Sequence, residues 1–298
     1  MAERSAERTT ERTVGGIAER ASGWSPGRAG SVGTGLLAYR LVAGAWLRSA
    51  LAYRWQFWLE LTGNALITFL DFAVLAVMYA HVRHLGGFSL AEAGFLYGTS
   101  GVCLGLADTL MGSTERLGDR IRDGSLDVVL LRPAPALAQL AADRFALRRL
   151  GRVVQGGAVL GWSLAALPVQ WTWGRAVMVP LLLVCGTAIF CAVFVVGAAF
   201  QFWAPGGAEA QNALTYGGGT LLQFPPTVFG RELVRGVVYG VPLAFVNWLP
   251  AMYVLGRPLP FGLPPVLRFG APVAAVVCAA VAGAAWRAGL RSYRSTGS

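Results

Sequence analysis

Long apolar runs decide what this chain can fold into. Stretches of 18 or more mostly apolar residues recur between clusters of arginine, and a run of that length is what a helix needs to cross bilayer hydrocarbon. Lipid offers no partner to exposed backbone N–H and C=O groups, so such runs have to be helical. Composition agrees. Of the residues, 55% are hydrophobic and 13% charged, about half the charged share of an ordinary soluble domain. The fold expected is an all-α polytopic membrane protein with six transmembrane helices, near residues 58–79, 93–112, 153–167, 176–203, 236–255 and 269–286.

All 25 basic residues are arginine. Eight fall in residues 1–57, eight in 114–152, two at Arg231 and Arg235, and three beyond the last run; Arg83, Arg175, Arg257 and Arg268 are left for the other side. Arginine-rich loops stay in the cytoplasm, so both termini are expected there. The net charge of +10 thus sets topology and does not point to nucleic acid. Without lysine there is no P-loop, whose lysine reaches the β- and γ-phosphates. An ordinary nucleotide-hydrolysing site is therefore not expected on this chain. Cys103, Cys185, Cys191 and Cys278 lie inside apolar runs without CxxC spacing, and read as small hydrophobes, not as a disulfide frame or metal site.

In chain order, residues 1–35 are rich in Ala, Glu, Arg, Ser, Thr and Gly, the composition of a disordered cytosolic tail. No apolar run follows their charges as a secretory signal requires. Residues 36–58 mix Leu37, Leu41, Trp46, Leu47 and Leu51 with Arg40, Arg48 and Arg54, which suits a helix lying in the cytoplasmic interface; the first turns of span one are the plainer reading. Asn64 and Asp71 fall inside span one and Asp108 near the inner end of span two. A carboxylate deep in a span costs on the order of 2.5–3.5 kcal/mol on insertion scales. These residues therefore line a pathway or bond between helices. His81 and His84 are the only histidines, too few for a zinc site. Residues 208–229, with Glu209, Gln211, Asn212, three consecutive glycines and Pro225-Pro226, read as interfacial or re-entrant instead of a plain span.

Residues 115–152 hold eight arginines: Arg116, Arg120, Arg122, Arg132, Arg144, Arg148, Arg149 and Arg152. Helical patterns cover 115–122 and 136–149, Asp123-Gly124-Ser125 makes a turn, Leu126 to Leu131 form a short apolar element, and Pro133 and Pro135 break the chain after it. This cytosolic loop between spans two and three is the best surface for a soluble partner.

The phrase from Leu126 to Pro133 (LDVVLLRP), the phrase from Pro242 to Ala251 (PLAFVNWLPA) followed by Leu255-Gly256-Arg257, and the ending from Tyr293 to Ser298 resemble ABC-2-type transporter permeases. The likeness is to the small six-span subgroup encoded in pairs beside an ATPase. It covers Leu36 to Ser298; residues 1–35 exceed the pattern. The resemblance implies a bacterial inner-membrane, multi-pass permease subunit of an exporter. A cytosolic ABC ATPase dimer and a second, homologous permease (hetero- or homodimeric) would be its partners, besides membrane lipid. No cofactor is implied, and ATP hydrolysis belongs to the partner. The resemblance maps the coupling helix onto residues 115–149 and an amphipathic helix onto 36–58. Arg116, Arg120, Arg122, Leu130, Leu131, Arg132 and Pro133 become docking residues, against the plainer reading that these arginines hold topology and bind anionic headgroups. A stand-alone secondary transporter or channel is the alternative, though no internal repeat supports it. An intramembrane enzyme would need paired carboxylates or a histidine-rich metal site.

Overall fold

The structure is a computed structural model and describes residues 62–63, 70, 72–82, 84–132, 134–143 and 149–294. The expected tail and interfacial helix, Asn64, Asp71 and Pro133 lie outside the described residues. Among the described residues every regular element is helical, apart from an isolated bridge between Leu85 and Phe88.

A long central helix, α2 (Leu90–Met111), organises the bundle. Ser89 and Glu92 close its start with a capping box, which satisfies two backbone N–H groups reciprocally. Its far end tightens into a 3-10 turn, Gly112–Arg116, and continues as α3 (Leu117–Arg122). Before it, α1 (Phe72–His81) packs Phe72 against Tyr97 and Trp162. After α3 come two short helices, α4 (Ser125–Leu131) and α5 (Ala136–Ala142).

Helix α6 (Leu150–Ala166) returns antiparallel to α2, with Arg149 at Asp108 and Ser163 donating to the Ala91 carbonyl at 2.6 Å. The two backbones meet at Gly98 and Gly156. A Cβ on Gly98 would sit 2.7 Å from the Leu160 nitrogen, so only glycine lets these helices approach. Helix α7 (Trp173–Phe200) runs parallel to α2, its Gly186 facing the Cys103 sulfur. Helix α11 (Ala271–Ser292) packs beside α7.

Between α7 and α11 the structure departs from expectation. Residues 208–222 form one helix, α8, with a wide π-helical turn over Ala213–Gly217. It runs antiparallel to α2 along much of its length. Tyr216 meets Asp108 and Glu115 at one end, Ser100 donates to the Gly219 carbonyl at 2.8 Å midway, and Thr227 donates to the Gly86 carbonyl beyond its end. Its polar and glycine content has a packing reason. Gln211 and Thr215 are buried, and Gly218 and Gly219 make room for Leu243 and Leu104.

Residues 236–255 are not one helix. Helix α9 (Arg231–Gly240) and the segment Leu243–Val254, whose last part is α10 (Trp248–Val254), meet at 84°. Pro242 has no N–H to continue α9 and pushes Val241 out of helical conformation; Val241 is extended, with φ −112° and ψ 103°. Pro250 does no such harm, because it sits in the first turn of α10, where its missing N–H has no intrahelical partner to lose. Both ends of this bent pair lie at the Leu90 end of α2. Phe229 stacks near Trp248, and Arg257 bonds to Glu92 and Gly87. Its turn reaches Gly186, halfway along α7, where Val246 packs. Asn247 pins the hairpin inside, donating to the carbonyls of Leu96 and Leu222 at 3.0 Å each.

Among the described residues, three helices are long and apolar enough to cross a membrane: Leu90–Arg122, Trp173–Phe200 and Ala271–Ser292; the bent pair would make a fourth if it were one span. Helix α6 is shorter, with 17 residues, about 25 Å at 1.5 Å per residue.

Candidate functional site

The arginine-rich segment after α2 folds into a compact cap on the Gly118 end of the bundle. Gly124 takes a left-handed conformation, φ 72°, which favours glycine. It turns the chain between α3 and α4, and the Ser125 N–H donates to the Asp123 carboxylate at 2.9 Å. The Ser125 hydroxyl and N–H hold the Asp123 carboxyl below the usual carboxylate range. Leu117, Ile121, Leu126, Val129 and Leu140 then bury against Ala192, Val195, Ala198 and Ala199 on α7, and against Trp286 of α11.

Three polar ties fix the cap. The Gly118 N–H donates to Gln201 Oε1 at 2.6 Å, and Gln201 in turn donates to Gln211 at 2.7 Å. Gln139 donates to the carbonyls of Val129 and Ala134, at 3.2 and 2.8 Å, closing the end of α4. The Tyr293 hydroxyl donates to Asp127 at 2.9 Å, and burial, with that carboxylate beside it, pushes the phenol up to about 12.

With one face of α4 buried, the other is exposed among the described residues. Val128 is 56% exposed, Leu130 41% and Leu131 85%. Arg132 follows, exposed, and Arg116 and Arg122 are exposed nearby in sequence. Arg122 pairs with Asp119 three residues back, at 2.7 Å, an exposed pair of little energetic weight. Arg120 behaves differently: it is half-buried and paired with Asp143, which ties α3 to the end of α5. A hollow of about 380 Å³ opens beside α4, walled by Arg120, Val128, Arg132 and Gln139 among others.

A second polar group lies deeper, where α2, α6 and α8 meet. Asp108 is buried and pairs with Arg149 at 3.1 Å; Arg149 also donates to the Asp108 carbonyl at 3.0 Å. The Tyr216 hydroxyl lies 2.6 Å from Glu115 and 3.2 Å from Asp108. Its one proton serves one carboxylate at a time. Arg152 covers the Tyr216 ring, 5.4 Å from its centroid. Asp108 is therefore held between helices by named partners. Glu115, Arg149, Arg152 and Tyr216 escaped the sequence reading as a group. The seven-residue step from Asp108 to Glu115 and the three-residue step from Arg149 to Arg152 were the signals, since each places two charges on one helix face.

Apolar helices long enough for a bilayer, packed around a buried apolar core, make this a helical membrane protein. Its sequence matches the profile of the ABC-2 family transporter protein over residues 65–297, and the chain belongs to that family. It is an ABC transporter permease, a membrane transport component that is not itself catalytic. No curated protein and no solved structure matches the chain.

Proposed function

We propose that the chain is the membrane subunit of an ATP-driven bacterial exporter, and that the bare face of α4 is where a cytosolic ATPase docks. The observation that carries this reading is the exposure of Leu130 and Leu131 beside Arg132, on a helix whose other face is firmly buried. Apolar side chains grouped on a rigid surface mark a binding site. An aliphatic anchor ringed by arginine suits a protein interface better than open water. The subunit would lack its own ATP site, and the force of ATP-driven closure would pass from α4 through the Gly118–Gln201–Gln211 seam into α7 and α8. Such coupling requires a packed element with two discrete arrangements.

In this reading α1, α2, α6, α7, α8 and α11 are the six crossings. The α9–α10 hairpin then enters and leaves from the outer side. Residues 208–222 thus take the place that the sequence assigned to 236–255. Arg231 and Arg235 move to the outer side, and the arginine bias survives: residues 1–57, 114–152 and the C-terminus remain inside. A second permease, identical or homologous, would complete the pathway.

The test is co-purification from the native membrane in mild detergent, comparing wild type with Leu130→Asp/Arg132→Glu. An ATPase retained by wild type and lost from the variant supports docking. Loss of no partner, or no ATPase with either protein, contradicts it.

A further inference from the structure

A cleft of about 340 Å³ lies between α1, α2, α6 and α8, apart from the α4 face. Arg152, Gln155, Tyr97, Thr220 and Gln223 line it, and Val74 forms part of its wall. Arg152 is the one charged residue among the described residues lining it. Its Nη1 is enclosed and has no hydrogen-bond partner among the described residues.

An enclosed guanidinium nitrogen without a hydrogen-bond partner is costly, although the side chain as a whole is half-buried. The nearby described carboxylates do not hydrogen-bond to this nitrogen. Asp108 is paired with Arg149, and both Asp108 and Glu115 face the Tyr216 hydroxyl, while Arg152 lies over the Tyr216 ring. The ring covers one side of the guanidinium, and its planar fork suits a tetrahedral oxyanion bound through two N–H groups. Gln155, which donates to the Tyr97 hydroxyl at 3.0 Å, and Gln223 add amide groups to the same wall. Val74 is 70% exposed, so the described residues leave the cleft open at the side of the bundle. Arg152 lies in the first turn of α6, close to the arginine-rich segment. Basic pockets of this kind between transmembrane helices take anionic headgroups.

We propose that this cleft binds a phosphate-class anion through Arg152, with Gln155 and Gln223 completing the donor set. The phosphate would come from an anionic phospholipid headgroup or from solution. The proposal uses no residue of the α4 face and stands apart from ATPase docking.

The experiment uses the purified full chain in phosphatidylcholine nanodiscs, with and without phosphatidylglycerol, and separately with inorganic phosphate. The readouts are the thermal midpoint and lipid adducts by native mass spectrometry. Wild type should retain a phosphatidylglycerol adduct and gain stability from that lipid. Arg152→Gln should bind about tenfold more weakly, the loss of one charge-assisted contact, and Arg152→Lys should fall between. Arg287→Gln, on the exposed side of α11, should match wild type. If inorganic phosphate alone raises the midpoint of wild type and not of Arg152→Gln, the site stands and its source is soluble. Gln223→Ala keeps the Arg152–Tyr216 stack and should weaken binding severalfold, which preserves the test if Arg152→Gln fails to fold. Equal lipid binding by wild type, Arg152→Gln and Gln223→Ala, with no response to phosphate, would overturn the proposal.

Discussion

The two ends of α2 are built on opposite plans. At the Leu90 end the groups turn inward. Arg257 reaches Glu92 at 2.5 and 2.9 Å and the Gly87 carbonyl at 2.7 Å, and lies 4.3 Å from the centroid of the Phe88 ring. Arg268 closes over it, donating to the Arg257 carbonyl at 2.9 Å. At the Gly118 end only the inner face of the cap is closed, and Val128, Leu130, Leu131 and Arg132 point away from the bundle. Arginine does different work in the two places: at one it locks loops together, and at the other it borders an apolar face that the described residues leave exposed. The contrast separates a structural lid from the surface proposed for docking.

The largest expected effect is at the closed end. Arg257→Met strands the largely enclosed Glu92 carboxylate, and stability in detergent should fall by roughly 2 kcal/mol. That is less than a fully buried pair would lose, because Arg257 is about a third exposed. Arg132→Met, the same change at the open end, should cost less than about 0.5 kcal/mol. Comparable losses in a thermal or denaturant titration would erase the distinction.

Next comes the seam beneath the cap. Gln201→Leu leaves the Gly118 N–H and Gln211 without their partner and should cost about 1–2 kcal/mol. It should also weaken the dependence of transport on ATP, if force passes this way. An unchanged melting midpoint would show that water replaces the amide.

Leu131→Asp should move stability by less than about 0.5 kcal/mol, since the side chain is already in the open. Its effect belongs in partner binding, read by ATPase retention on the purified permease. A large loss of stability instead would mean that Leu131 packs within the folded chain.

The smallest effect is at the Asp123–Ser125 turn. The Asp123 carboxyl is held below the usual carboxylate range, so its contribution is present above the unfolded-state pKa and disappears as pH falls through the lowered folded-state value. Asp123→Asn should remove that acid-side dependence from the thermal midpoint and leave neutral pH nearly unchanged. An identical acid-side slope in both proteins would show that the turn contributes nothing.

Much of the framework was legible in the sequence. Apolar run length pointed to a helical membrane protein, and family likeness to a permease. The turn at Gly124 and the short apolar element after it were readable because glycine, proline and apolar spacing act locally. Residues 208–222 were harder. Gln211, Thr215 and the glycines break the apolar pattern because this helix packs against protein through those very residues, which hydropathy alone does not register. The break at Pro242 was visible, but not its 84° consequence, since the direction of the next helix depends on Asn247 reaching the Leu96 carbonyl on α2, more than a hundred residues away in sequence. Arg149 and Arg152 were read only as members of the arginine-rich cytosolic loop, because their carboxylate and aromatic partners come from other helices.

The most direct test of ATPase docking places a photo-activated cross-linking amino acid at residue 131 in the native membrane, with a second at Val273 on the exposed side of α11. After illumination the adducts are sequenced. The account expects residue 131 to capture a chain carrying a P-loop, and Val273 not to. If residue 131 yields only lipid or permease adducts while the ATPase is present, α4 is not the docking surface.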